Sequence, residues 1–403
     1  METGRPMIPF KEALEKILKN ISVLSHFEEV ALENCSSRVL AESVYADRDI
    51  PPFNRAAVDG FAIKSSDREK LLKLIETVPA GAKAEHVVKE GTCIRIMTGA
   101  PVPAGTEQIV MVEYSTESNG FIKFEIPQKD INTANFALQG EDMKKGELAL
   151  SAGTFITPGI ISTLASLGKF NVSVVKKPKI GIIVTGDEVV EPWVTPENEH
   201  IRNSNGWQLI AQINRAGCTP VYKGIVADHL EKTKAIIEET ASECDIVLMT
   251  GGVSMGDYDY GGKALLESGF DIKFDSVAVK PGKPLTLAVR EKSGKNEVVI
   301  GLPGNPYSVF VMFEVAVRPA IEKMSGANRD FNKKAILNGD FNRRRVDREE
   351  WIPAKIEIDG SVTPLKHNGS GHFHILSVAD AVFKIERGEN SLKKGEIVSV
   401  RQI

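Results

Sequence analysis

The stretch Asp245-Ile-Val-Leu-Met-Thr-Gly-Gly-Val-Ser-Met-Gly-Asp-Tyr-Asp259 decides how this chain is read. Asp245 to Met249 has the short, almost continuously apolar run of a strand buried on both faces of a parallel sheet. The strand then gives way to Gly251 and Gly252, the hydroxyl of Ser254, a third glycine (Gly256) and two carboxylates, Asp257 and Asp259. Glycines let backbone N–H groups approach an anion closely, and the following helix start adds partial positive charge. Carboxylates in the same loop suit a hard divalent cation that shares the anion's oxygens. A phosphate-plus-Mg²⁺ site at the carboxyl end of a sheet strand is the chemistry this pattern implies.

Outward from this loop the same arrangement recurs twice. Lys179 to Thr185 is a second buried strand, followed by Gly186-Asp-Glu188. Glu297 to Leu302 is a third, followed by Pro303-Gly-Asn-Pro306. Residues 179–325 therefore read as repeated β-α units with a parallel sheet. Helices are predicted from Ser204 to Ala216, from a capping box at Asp228 and Glu231 to Glu243, and from Pro306 to about Met324. Asn305 suits the N-cap and Pro306 the first helical position. Phe274–Lys280 and Leu285–Arg290 are predicted to pair around Pro281-Gly-Lys-Pro284. In an open parallel sheet the loops at the strand ends line one crevice. Glu188, Asp257 and Asp259 are the candidate Mg²⁺ ligands. Gly251, Gly252, Ser254, Lys280, Lys283, Pro303, Asn305, Pro306 and Ser308 are the candidate groups for an oxyanion or phosphate.

The flanking segments differ in character. Phe10, Leu14, Ile17, Leu18 and Ile21 lie on one helical face, and a second helix is predicted over Ser36–Glu42. Asp49-Ile-Pro-Pro-Phe-Asn-Arg-Ala-Ala-Val-Asp59-Gly60 carries two prolines and a turn-forming Asp-Gly. Short strands then follow to residue 145, and Pro158–Leu167 reads as a helix. From 328 on, short strands suggest a small β-barrel-like domain with Asp347-Arg348 and Asn368-Gly-Ser-Gly371 as its site-like loops. The expected architecture is multidomain α/β and β. It comprises a discontinuous helical and extended N-terminal domain (1–50 plus 146–178), a β-rich insert (51–145), a three-layer α/β domain (179–327) and a C-terminal β domain (328–403).

The bulk composition is that of a soluble globular protein, with 42% hydrophobic and 26% charged residues among 403. The net charge of −4 argues against a nucleic-acid partner. No apolar run is long enough to span a membrane, and Met1–Met7 has no secretory h-region, so a cytoplasmic location is expected. Cys35, Cys93, Cys218 and Cys244 are widely spaced and read as reduced core thiols. There is no P-loop, strand-linked dinucleotide fingerprint, H-E-x-x-H or nucleophile elbow. His372 and His374 would share a strand face but lack a third ligand.

Taken in order, several motifs resemble those of one family, the molybdopterin molybdenumtransferases (MoeA and the gephyrin E domain). They are Pro51-Pro-Phe with Asp59-Gly-Phe-Ala, Arg95-Ile-Met-Thr-Gly-Ala-Pro-Val-Pro103, Gly140-Glu-Asp142 and Thr185-Gly-Asp-Glu188. Thr250-Gly-Gly-Val-Ser-Met-Gly-Asp257, Lys280-Pro-Gly-Lys-Pro284 and Pro303-Gly-Asn-Pro306 complete the series. The resemblance implies a homodimer with four domains per subunit, its site formed between the α/β domain of one and the insert of the other. It implies transfer of molybdate (or tungstate) into adenylylated molybdopterin, with Mg²⁺-dependent release of AMP. It further implies functional roles for Asp59, Thr98, Asp142, Glu188, Asp228, Asp259, Pro303 and Pro306. The preceding molybdopterin adenylyltransferase is an implied partner, and a scaffolding paralogue without turnover is the alternative. Three departures stand out, one of them Arg348-Glu-Glu-Trp-Ile-Pro353 in the last domain, which only loosely follows the family's usual Arg-Pro-Glu-Phe-His-Arg. Asn54-Arg55-Ala56-Ala57-Val58 replaces the family's usual Asp-Asn-Ser-Ala-Met. Ala137-Leu138-Gln139 lacks the arginine usual before Gly140-Glu-Asp142, which suggests that Arg55 supplies a relocated positive charge.

Overall fold

The computed structural model describes residues 6–252, 260–327, 332–366 and 373–403. Ser254, Asp257, Asp259, His372 and Asn368-Gly-Ser-Gly371 lie outside the described residues. Two compact units are present: residues 1–41, 153–157 and 172–403, and residues 42–152 and 158–171.

The first unit contains the α/β sheet. Its strands are β1 (Lys179–Thr185), β2 (Thr219–Val226), β3 (Ile246–Thr250), β4 (Asp271–Phe274), β5 (Thr286–Lys292) and β6 (Lys295–Leu302), in the order β2-β1-β3-β6-β5-β4. β2, β1, β3 and β6 run parallel, while β5 and β4 extend the sheet antiparallel. Helices α1 (Asn205–Arg215), α2 (Leu230–Glu243) and α3 (Tyr260–Glu267) connect them. Helix α4 (Pro306–Met312) continues through a π-helical turn, Phe313–Val317, into Arg318–Ser325.

Why the strand interiors are apolar at every position follows from their two cores. Ile180 and Ile182 of β1, Leu248 of β3 and Ile300 of β6 face one core with Leu209 and Val309. Ile183, Val247, Met249 and Val299 face the opposite core with Ile237 and Leu265. Side chains alternate across a strand, so a sheet covered on both faces needs apolar residues in both phases. Each such burial is worth about 1.5–3 kcal/mol relative to exposure. One polar clamp sits inside: Glu314, fully buried, accepts from Gln212 Nε2 at 2.8 Å and Arg318 Nη1 at 2.8 Å, and also pairs with Arg215. It ties α1 to the long helix that begins at Pro306.

A C-terminal sheet joins Glu349–Ile356, Ala381–Ile385, Ile397–Gln402 and Asn332–Ile336, with Val279–Lys280 on its other edge. This corrects the predicted pairing of Phe274–Lys280 with Leu285–Arg290. Only Asp271–Phe274 pairs with β5, whereas Val279 and Lys280 pair with Glu349 and Glu350. His374 lies in a 3-10 turn, Phe373–Ser377, instead of a strand.

Two further expectations fail for local reasons. Ser36–Glu42 is not a helix: Ser37 adopts φ +62°, and Val39 and Leu40 bridge to Phe155 and Val174. The left-handed residue breaks helical propagation. The capping box at Asp228 does not form either. The N-cap of α2 is His229, with no side-chain cap bond. Asn305 does occupy the N-cap of α4, with Pro306 in its first turn, but makes no side-chain cap bond there.

The second unit is built on a six-stranded sheet in the order Gln108–Met111, Gly60–Ile63, Thr92–Ile96, Leu72–Val78, Phe121–Phe124, Ser115–Ser118. Gly60 opens a central strand, where any Cβ would overlap Val110 O. That close approach explains the Asp-Gly sequence: Gly60 lets the strand start directly after Asp59. All four cysteines are buried and unpaired, and among the described residues no helix is long and apolar enough to cross a membrane.

Candidate active site

In the first unit, parallel register brings the functional loops to one edge of the sheet. Thr185 pairs with Val226, Val184 with Thr250, and Thr250 with Leu302. The segments that leave these strands are therefore neighbours: Gly186-Asp187-Glu188, Ala227-Asp228, Gly251-Gly252 and Pro303 to Pro306.

Backbone constraints hold this edge together. Gly251 has φ +79°, and a Cβ there would stand 2.5 Å from Thr185 O. Only glycine lets β3 turn away so close to the end of β1. Gly252 O accepts from Gly261 N at 2.8 Å, which fixes the entry to α3. Asn205, at the start of α1, donates through Nδ2 to Gly304 O at 2.8 Å and Thr250 Oγ1 at 3.2 Å, linking the β3 and β6 loops. Gln208 Nε2 donates to Pro306 O at 3.0 Å. Pro303 is buried, and Ser308 is only 4% exposed, so its side chain faces the helix packing more than the crevice.

The acidic groups crowd together. Asp187 Oδ1 accepts from the backbone N–H of Asp228 at 3.0 Å. Gly186 has φ +136°, which favours glycine, and the Glu188 carboxylate lies 2.6 Å from where a Cβ there would stand. Burial pushes the Asp228 carboxyl above its ordinary range. The negative charges of Asp187 and Glu188 add to this, against a backbone hydrogen bond at Asp187. A carboxyl whose ionisation is disfavoured by burial and by two neighbouring carboxylates marks a place short of a cation. Sequence reading named Glu188 and Asp228 but passed over Asp187, although it stands between Gly186 and Glu188. It also passed over Asn205, whose signal was the Asn203-Ser-Asn-Gly206 sequence at a helix start.

Among the described residues, the one group of three ligand-type side chains with atoms all within 4.8 Å is Glu197, Glu199 and His200, on an exposed turn. The Asp187, Glu188 and Asp228 cluster is wider than that. Such spacing suits Mg²⁺, which keeps several waters and takes one or two carboxylates plus substrate phosphates.

Lys280 and Lys283 sit differently from each other. Lys280 Nζ pairs with Glu350 Oε1 at 2.7 Å, in register with the C-terminal sheet. Lys283 is exposed. Between them Gly282 has φ +112°, and a Cβ there would overlap Met312 of α4. The loop is thereby seated against the helix whose first turn carries Asn305 and Pro306.

In the second unit, Asp59 Oδ1 accepts from both Thr98 N at 2.7 Å and Thr98 Oγ1 at 2.6 Å. These two bonds hold the exposed Asp59 carboxyl below its usual range, with a smaller contribution from Arg95. Asp142 is exposed on the turn after Gln139, and no described side-chain bond joins it to Asp59 or Thr98. The intervening segment Arg55–Ala56 pairs antiparallel with Phe136–Ala137, and Gln139 N donates to Asn54 Oδ1 at 2.8 Å. Arg55 stands directly opposite Ala137. Residues opposite each other across such a pair share a face.

Three family models match successive parts of the chain. Residues 8–168 match the MoeA N-terminal region (domain I and II), 181–323 a probable molybdopterin binding domain, and 334–403 the MoeA C-terminal region (domain IV). The molybdopterin molybdenumtransferases of Staphylococcus epidermidis and Bacillus subtilis strain 168 are 34% and 35% identical to it. Each alignment covers 98% of this chain, and 96% and 94% of those proteins respectively. The crystal structure of the molybdopterin biosynthesis moeA protein from Pyrococcus horikoshii OT3 superposes with a TM-score of 0.83. It has 32% identity and covers 99% of this chain and all of that one. Full-length similarity of this order, with family models matching most of the chain, leads to one conclusion: the chain belongs to the MoeA family of molybdopterin molybdenumtransferases, transferases of molybdenum cofactor biosynthesis.

Proposed function

We propose that the chain inserts molybdate into adenylylated molybdopterin and releases AMP in a Mg²⁺-dependent step. The observation that carries this reading is the Asp187, Glu188 and Asp228 cluster. It stands at the same sheet edge as the Gly251-Gly252 turn and the helix start at Pro306. The donor set is all oxygen and already burdened with negative charge, which fits a hard divalent cation. When bound, Mg²⁺ neutralises charge on the diphosphate that is cleaved. Glu188 and Asp228 hold it, and Asp257 and Asp259 remain proposed ligands from outside the described residues.

The chain's own groups do the rest by position. The amides of Gly251 and Gly252 and the first turn of α4 line the phosphate. Exposed Lys283 supplies charge to the oxyanion, while Pro303 and Pro306 stiffen the loop around Asn305. Cleavage breaks one P–O bond of the diphosphate bridge; an oxygen nucleophile attacks phosphorus, and AMP departs with the bridging oxygen or the new one according to the phosphorus attacked. Among the described residues no side chain at this edge is placed as a nucleophile, so catalysis rests on charge neutralisation and alignment.

The reading extends to assembly. The site is completed by the β-rich unit of a second copy in a homodimer, with Asp59, Thr98 and Asp142 contributed across the interface. Four domains with the boundaries predicted above, a cytoplasmic location and hand-over of substrate from the preceding adenylyltransferase belong to the same proposal. The position of Arg55 opposite Ala137 supports its role as a relocated cation for the oxyanion. An Arg55→Ala variant is expected to raise the KM for molybdate about tenfold with little change in kcat. Incubation of the purified chain with adenylylated molybdopterin, molybdate and Mg²⁺ tests the whole reading. AMP and molybdenum cofactor should appear together. Binding of the pterin without AMP release would instead mark a scaffold.

A further inference from the structure

Apart from the sheet-edge carboxylates, a second set of metal-ligating side chains stands on the segment Glu191-Pro-Trp-Val-Thr-Pro-Glu-Asn-Glu-His200. This segment leaves the short strand Val189–Val190 and returns as Ile201–Arg202, which pairs with it. Its backbone is well anchored. Pro192 and Pro196 restrict its dihedrals. Val194 N donates to Glu191 O at 2.9 Å, Arg202 Nε to Val194 O at 3.3 Å and Trp207 Nε1 to Glu191 Oε2 at 3.0 Å. At its end His200 N donates to Glu197 O at 3.1 Å, and the turn so closed brings the two side chains together.

One carboxylate oxygen each from Glu197 and Glu199 and a ring nitrogen of His200 all lie within 4.8 Å of one another. None of the three side chains makes a hydrogen bond or ion pair with a described residue. Arg202, the next base along the chain, spends its Nε on the Val194 carbonyl instead. The imidazole gives a sign of its own. Glu197 and Glu199 are exposed, where unpaired carboxylates cost little, but His200 is half-buried and its Nδ1 is shut away from water without a hydrogen-bond partner. An enclosed polar atom left unpaired costs free energy, and a histidine with a purely structural role would carry a carbonyl or carboxylate on that nitrogen. A cation between Nδ1 and the two carboxylates removes that cost and balances their charge.

We propose that Glu197, Glu199 and Nδ1 of His200 form a binding site for a divalent transition ion of the zinc type, with water completing its coordination. Imidazole beside carboxylate suits zinc, whereas the all-oxygen set of Asp187, Glu188 and Asp228 suits Mg²⁺, so the two sites select different metals. Bonds of about 2.0–2.2 Å to a tetrahedral ion place the ligand atoms about 3.4 Å apart. Rotation of the two exposed glutamate side chains is enough to reach that spacing. The ion acts as a clip. Ile201, next after His200, donates its N–H to Glu188 O at 2.8 Å, so closing the turn holds the segment that carries Glu188. Binding of the ion goes beyond the transfer reaction and does not depend on it.

Titration of the intact, tag-free chain, first stripped with a chelator, with Zn²⁺ or Co²⁺ at saturating Mg²⁺ tests the inference. One equivalent of Zn²⁺ should bind, and Co²⁺ in its place should show the visible absorption of a four- or five-coordinate ion. His200→Gln should weaken Zn²⁺ binding at least about tenfold and abolish the cobalt spectrum, as should Glu197→Gln/Glu199→Gln. Without metal the melting temperatures of these variants should match the wild type, since none of the three side chains is bonded into the fold. Asp228→Asn should leave Zn²⁺ affinity where it was. Zn²⁺ should also slow amide hydrogen exchange at Ile201 in the wild type and not in His200→Gln. Absence of Zn²⁺ binding, or affinity unaltered in His200→Gln, would overturn the site. Affinity lost in Asp228→Asn would overturn it too, by placing zinc on the sheet-edge carboxylates. Exchange at Ile201 that ignores Zn²⁺ would overturn the clip. Because binding is read without turnover, a chain that binds zinc but transfers no molybdenum would count against the transferase reading alone. A chain that transfers but binds no zinc would count against this one alone.

Discussion

Asp59 in the β-rich unit and Asp228 at the α/β sheet edge are both aspartates in family motifs, yet their surroundings push them in opposite directions. Asp59 is exposed and receives two short bonds from Thr98, so its ionised form is favoured. Asp228 is partly desolvated beside two further carboxylates, so its ionised form is disfavoured. One group has its charge satisfied by the protein. The other has been left for something else to satisfy. That contrast is the one expected if Asp59 has the proposed positioning role and Asp228 the proposed Mg²⁺-binding role.

The comparison can be broken most directly at the acidic cluster. Glu188→Gln and Asp228→Asn are expected to lower Mg²⁺-dependent transfer by about 10²–10³-fold, the scale of losing charge stabilisation in a transition state. Each should also remove much of the Mg²⁺ affinity, read by calorimetry. Undiminished Mg²⁺ affinity would make the cluster structural.

Glu314 provides a carboxylate of a third kind, buried but fully compensated by two arginines and Gln212. Glu314→Ala removes the 2.8 Å partner of buried Arg318, leaving the longer 3.6 Å pairing with Glu322, and should cost about 3–5 kcal/mol in denaturant unfolding. Activity per folded molecule should persist, which separates support of the fold from work at the site.

A smaller effect is expected at Thr98. Thr98→Val removes one of the two donors to Asp59, the backbone bond remaining, and should lower kcat/KM several-fold. The Asp59 carboxyl should then titrate closer to the ordinary carboxylate range, visible by NMR.

The pH dependence has opposite signs at the two sites. The folded-state pKa of Asp59 is depressed, so its contribution to stability is present above the unfolded carboxylate pKa. That contribution is lost as pH falls through the lower folded value. For Asp228 the folded-state pKa is raised. Its ionisation therefore costs stability as pH rises past the unfolded value, and bound Mg²⁺ should recover that loss. On acidification from neutrality Asp228 protonates first and Asp59 last. Mg²⁺ affinity should accordingly fall at a pH where Asp59 is still ionised, and the reverse order in an NMR titration would contradict the assignment.

Much of this was legible in the chain, for physical reasons. Strands buried on both faces must be apolar in both phases, so Lys179–Thr185, Ile246–Thr250 and Lys295–Leu302 announced a covered parallel sheet. Parallel register then required their loops to share an edge. What escaped reading depended on non-local contacts. Asp228 looked like a helix cap, but its N–H is taken by Asp187 from the neighbouring strand end. Val279–Lys280 looked like part of a local pair, but it joins a sheet some seventy residues further along the chain. Asn205 looked like an ordinary first-turn helix residue until Thr250 and Gly304 were brought to it.

The most direct measurement is AMP release from adenylylated molybdopterin with molybdate present, followed as Mg²⁺ is titrated into wild-type protein and the Asp228→Asn variant. AMP should form with the wild type in step with molybdenum cofactor and saturate with Mg²⁺, while the variant needs far more metal for far less product. Identical Mg²⁺ dependence in the two proteins, or AMP release without any divalent cation, would contradict the account.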